Sequence, residues 1–94
     1  MAQVSLTPSA LRELNALPNT IQKRINKVLA RLASWPHVSG IKTLTGQWAG
    51  HYRARTGDYR IIFFVESNHD EEDHDKEDVV VVIKIGHRSD IYDE

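Results

Sequence analysis

The chain has no cysteine, which removes disulfide frameworks and thiolate zinc sites from consideration and suits a reducing compartment. It has no run near the roughly 18 to 20 apolar residues that a membrane span needs. The start, Met1 to Thr7, lacks the basic opening and apolar core of a secretion signal. A cytoplasmic protein with no membrane partner is expected. There is no internal repeat and no glycine-rich phosphate loop. At 94 residues, one domain spanning 1–94 is expected.

A strong overall charge is also missing, since the formal net charge is −1. That balance conceals two opposite parts. Between Glu66 and Asp78, eight acids face Lys76 alone, net −7; elsewhere five acids face eleven bases, net +6. A basic body thus carries an acidic insert at 66–78. Such a body suits a polyanion or an acidic protein partner.

Val4–Leu6 reads as a short strand. Thr7 is a suitable helix cap, with Pro8 at the first helical position. Leu11, Leu14 and Leu17 follow at helical spacing, and Pro18 stops that helix. Asn19 or Thr20 is expected to cap a second helix. Its Ile21, Ile25, Val28, Leu29 and Leu32 form an apolar stripe, opposite Lys23, Arg24, Lys27 and Arg31. Residues 41–46 read as a connector. His51, Arg53 and Arg55 then alternate with Tyr52, Ala54 and Thr56 along a strand. Gly57 and Asp58 make a turn. Tyr59–Val65 is apolar on both faces beyond Arg60, as a central strand is. Val79–Ile85 is a β-branched strand that Gly86 is expected to end. The order β-α-α-β-β-β predicts an α+β domain: a twisted antiparallel sheet with an N-terminal helical hairpin on one face and the other face partly open.

The order Lys42-x-Leu44-x-Gly46, Gly57-Asp58-Tyr59-Arg60-Ile61 and Gly86-His87-Arg88-x-x-x-Tyr92 resembles the RelE/ParE superfamily of toxin–antitoxin toxins, closest to its RelE branch, over the whole chain. The resemblance implies a ribosome-dependent messenger-RNA endonuclease that cuts the codon in the A site, without metal or other cofactor, and inhibits translation. It implies a cognate antitoxin as partner, in a toxin–antitoxin hetero-oligomer, besides the ribosome and mRNA. It puts Arg53 and Arg55 at basic positions of the hairpin, Arg60 at a phosphate contact, Arg88 after the last strand and Tyr92 at a base-orienting tyrosine. A ParE-like gyrase inhibitor without enzymatic activity is the alternative, and an inactive homologue acting with its antitoxin in repression is a third.

Cleavage of this kind needs a base for the 2′-hydroxyl, charge balance at phosphorus and a proton for the leaving oxygen. Arg60 and Arg88 suit the second task, because a guanidinium stays charged and binds phosphate in a fork. Tyr92 suits base stacking. Arg53 and Arg55 are poor bases, where some relatives carry lysine. His87 is the first candidate proton carrier, since imidazole ordinarily titrates near neutrality, and His51 is the second. Lys42, His51 and Lys84 complete the expected RNA-binding set. The histidines and carboxylates between His69 and Asp75 have no metal-ligand spacing, so the insert reads as a solvated loop.

Overall fold

The structure is a computed structural model that describes residues 2–67 and 77–91. Five strands form one sheet: β1 (Ala2–Leu6), β2 (Lys42–Thr43), β3 (Tyr52–Thr56), β4 (Tyr59–Ser67) and β5 (Asp78–His87), in the spatial order β1-β5-β4-β3-β2. Two helices, α1 (Pro8–Asn15) and α2 (Asn19–Leu32), lie between β1 and β2 in the chain. The α+β class and the central place of β4 match expectation. The sheet is mixed rather than wholly antiparallel, because β1 runs parallel to β5, Ala2 opposite Asp78 through Leu6 opposite Val82. Lys42 and Thr43, expected in a connector, pair with Arg53 and Tyr52 and become an edge strand. Two residues are too short a run for alternation to show.

Helix α1 begins as its sequence dictates. Thr7 Oγ1 accepts the Ala10 amide at 3.1 Å, with Pro8 in the first turn, which satisfies one orphan donor of the helix end. Leu14 is buried, whereas Leu11 is 48% exposed, so the apolar stripe of α1 is narrower than its leucines suggest. Helix α2 has Pro18 before it and no side-chain cap; neither Asn19 nor Thr20 serves. Instead Gln22 Nε2 donates to the carbonyl of Leu17 at 2.8 Å, tying the interhelical turn.

Ile25, Val28 and Leu32 of α2 pack with Ala54, Ile61, Phe63, Val80, Val82 and Ile85 in the main core. Strand alternation then sends Ile62 to the opposite face. There it forms a smaller cluster with Leu44 and Ile91, flanked by Trp48 and Ile83. A register shift between Ile62 and Phe63 leaves Ile83 as the extra residue of β5, a β-bulge. Gly86, expected to end β5, continues it opposite Arg60, and His87 still pairs with Tyr59. The missing side chain leaves room for Ile91, whose Cγ1 and Cδ1 lie 3.5 Å from where a Cβ would stand.

Candidate nucleic-acid interface

The face of the sheet away from the helices carries the basic residues in rows. Lys42 stands opposite Arg53, Arg53 opposite Ile62, and Ile62 opposite Lys84. The next row in the same direction along the face is Arg55, Arg60 and Gly86. Rows on one face are about 7 Å apart, two strand residues. Lys42, Arg53, Arg55 and Arg60 therefore share one face of the sheet. Lys84 sits at the margin. It is in register with Ile62, yet it also borders a cavity of about 310 Å³ with Glu13, Tyr59, His87 and Asp90.

Arg60 is only 6% exposed. Its Nη1 donates to the carbonyls of Gly57 at 3.0 Å and Tyr59 at 3.3 Å. The guanidinium thus organises the β3–β4 turn, where Gly57 takes φ +58°, a left-handed conformation cheap for glycine alone. Arg88 approaches the same turn from beyond β5. Its amide donates to the Asp58 carbonyl at 2.7 Å, and its Nε lies 3.7 Å from Asp58 Oδ1, with both side chains more than 60% exposed. Such an ion pair is weak, so an incoming phosphate competes with Asp58 at little cost. Arg24 of α2 also reaches this end, its Nη1 3.7 Å from where a Cβ on Gly57 would stand. The helical pattern of charge puts Arg24 in the basic row of α2, but only the tertiary fold brings it beside the hairpin.

The two candidate proton carriers are separated. His87 pairs with Tyr59 on the helix side of the sheet, rings 5.4 Å apart and edge-on. Its Nδ1 accepts the Ser89 amide at 3.1 Å and lies 2.8 Å from Ser89 Oγ. An amide only donates, so the neutral ring keeps its proton on Nε2. His87 therefore orders the turn leading to Ile91, away from the arginine rows. His51 has the reverse arrangement. Its Nδ1 lies 3.3 Å from the Ala49 carbonyl, which only accepts, so the neutral ring has its proton on Nδ1 and a lone pair on Nε2. It stands on the arginine face, one row from Arg53. Tyr92 and the insert residues His69–Asp75 lie outside the described residues.

Glu13 carries a role that its helical position did not reveal. β1 pairs with β5 only as far as Val82, and the chain then leaves the sheet edge through Thr7, whose amide bonds the Val82 carbonyl at 3.0 Å. Three residues beyond Val82 on β5, Glu13 Oε1 accepts the Ile85 amide at 3.0 Å. A carboxylate substitutes for the missing strand, directly before the Gly86-His87-Arg88 segment.

These features define a class: small α+β domains with a basic sheet face. The chain is 31% identical over 90 residues to Toxin RelG of Mycobacterium tuberculosis, covering 95% of this chain and 93% of the relative. Its fold is similar to the RelBE2 toxin–antitoxin complex of the same organism, with a TM-score of 0.71 at 28% identity, covering 93% of this chain and 98% of the other. It is also similar to the isolated E. coli RelE toxin, with a TM-score of 0.67 at 25% identity, covering 93% and 84%. A family model for the ParE toxin of type II toxin–antitoxin systems, parDE, matches residues 4–92. The chain belongs to that family, within the RelE/ParE superfamily of toxins.

Proposed function

We propose that this toxin is a ribosome-dependent messenger-RNA endonuclease that cleaves A-site codons by 2′-hydroxyl attack, without a metal. The observation that carries this reading is the gathering of Arg53, Arg55 and Arg60 on one sheet face, with Arg88 at the same end beside Asp58. A set of guanidinium groups around one turn stabilises a phosphorane's charge without being consumed. Arg88 and Arg60 bind the scissile phosphate. Arg53, Arg55, Lys42 and Lys84 hold the flanking backbone. Tyr92 orients the substrate base. Because His87 is engaged by Ser89, it acts as a proton carrier only when that turn opens.

In this reading a cognate antitoxin covers the basic face and the toxin is stored as a hetero-oligomer. Solved relatives crystallised as toxin–antitoxin complexes support that partner. No helix among the described residues is long and apolar enough to cross a membrane, and the proposed site of action is the cytoplasm.

The test is a cell-free bacterial translation reaction, with messenger cleavage mapped by primer extension. Cuts at A-site codons are expected. Arg88→Ala lowers their rate by about 10²- to 10³-fold, as loss of a transition-state charge partner does. A second reading has its own support, since the matching family model describes ParE toxins: gyrase inhibition without chemistry. Absence of cuts together with stabilised gyrase–DNA cleavage complexes would establish that reading and end the first.

A further inference from the structure

We propose that His51 is the general base of the cleavage reaction, held ready by Trp48, Phe64 and the Ala49 carbonyl. The inference rests on the endonuclease reading and supplies what that reading lacks, a group able to take the proton from the 2′-hydroxyl. The described arginines do not serve, because a guanidinium does not deprotonate in proteins. The imidazole of His87 faces the helix side and its Nδ1 is occupied by Ser89.

Three contacts fix the ring of His51. Its centroid lies 5.5 Å from that of Trp48 at 81° and 5.7 Å from that of Phe64 at 75°. Both are edge-to-face arrangements of the kind aromatic rings favour. The Ala49 carbonyl accepts a hydrogen bond from Nδ1–H at 3.3 Å, which sets the tautomer, as an orienting acceptor does for a catalytic histidine. Nε2 then presents a lone pair, and no hydrogen bond joins it to any described residue. Backbone contacts hold the holder: the His51 amide donates to the Trp48 carbonyl at 3.0 Å, and its carbonyl accepts the Leu44 amide at 3.0 Å.

The placement fits the chemistry. His51 and Arg53 are two residues apart on one face, about 7 Å along the strand. That spacing lets an imidazole meet a ribose hydroxyl while Arg53, with Lys42 across from it, meets the adjoining phosphate. In the step, Nε2 takes the 2′-hydroxyl proton as the 2′-oxygen bonds to phosphorus. The bond from phosphorus to the 5′-oxygen breaks, leaving a 2′,3′-cyclic phosphate, and the 5′-oxygen takes a proton from water. The imidazolium later returns its proton to solvent.

The experiment is single-turnover cleavage of a ribosome-bound messenger across pH, for the whole toxin and for His51→Gln. Loss of a general base costs about 10²- to 10⁴-fold. The expected outcome is a loss in that range for His51→Gln, with the acid limb of the rate–pH profile abolished. Added imidazole should restore part of the rate in His51→Ala and none in Arg88→Ala. Phe64→Leu, which loosens the ring without removing it, should slow cleavage while keeping the acid limb, so a folding defect in the histidine variants would not shelter the proposal. A His51→Gln toxin that cleaves within about threefold of the unaltered protein, or keeps its acid limb, overturns the assignment. Failure of the unaltered toxin to cut any ribosome-bound messenger is a different result: it removes the endonuclease reading itself, and this inference with it.

Discussion

Arg60 and Arg88 both belong to the proposed phosphate site, yet they differ as residues. Arg60 is buried and holds two turn carbonyls; Arg88 is exposed and leans on Asp58. Removing a buried donor leaves its acceptors unsatisfied, which costs about 1–3 kcal/mol. Arg60→Ala should therefore lower stability by roughly that amount in urea unfolding, besides any loss of activity. Arg88→Ala should shift stability by less than about 0.5 kcal/mol, as exposed substitutions do. Arg88 is thus the cleaner probe of chemistry, and equal unfolding midpoints for the two variants would contradict this division. Gly57 gives a second residue-scale test. At φ +58°, Gly57→Ala should cost about 1–2 kcal/mol from backbone conformation. The space around it is open, with Arg24 Nη1 at 3.7 Å as the nearest neighbour, so steric overlap adds nothing.

Among the elements, β5 depends most on a contact from elsewhere in the chain. On the side away from β4, no strand among the described residues flanks it beyond Val82, and Glu13 from α1 accepts the Ile85 amide. A hydrogen bond to a charged group contributes about 1.5–3 kcal/mol. Glu13→Ala should destabilise by that order, and hydrogen exchange at the Ile85 amide should accelerate out of proportion to global unfolding. Glu13→Gln keeps an acceptor and should lie between. Unchanged exchange at Ile85 in Glu13→Ala would show that the edge is protected by other means. This contact also shows where the sequence stops being readable. Alternation put His51, Arg53 and Arg55 on one face, and the doubly apolar run of β4 marked it as central, because period and burial are local signals. The Thr7 cap was legible for the same reason. Glu13 lies 72 residues from Ile85, and nothing in the spacing of α1 distinguishes it from a solvated glutamate. The bulge at Ile83 and the two-residue strand β2 were equally hidden, since both exist only through their partners. Gly86 reads as a breaker until the packing of Ile91 against it is known.

At the scale of the whole molecule, charge is divided along the sequence. The basic body is net +6 and the Glu66–Asp78 segment net −7. β4 begins at the Gly57–Asp58 turn, beside Arg55, Arg60 and Arg88, and ends at Ser67, where it pairs with Asp78. Eight strand steps separate Tyr59 from Ser67, roughly 27 Å at the usual rise. The acidic stretch is therefore anchored at the far end of the sheet from the arginine turn. Charges in solution lose most of their influence beyond a Debye length, about 8 Å at physiological ionic strength. A charge acting from those flanking positions leaves the field at the arginines largely intact, so the proposed RNA affinity should follow the basic body rather than the net charge of −1. Replacing residues 68–76 with an Asn-Gly turn should then change affinity for a short single-stranded RNA by less than about threefold at 0.15 M salt. It should raise affinity markedly at about 0.01 M, where the screening length grows to some 30 Å and spans the sheet. Fluorescence anisotropy across a salt series reads both limits. A gain of tenfold or more already at 0.15 M would mean that the acidic stretch reaches back over the arginines, and would make it an internal competitor for RNA rather than a distant counter-charge.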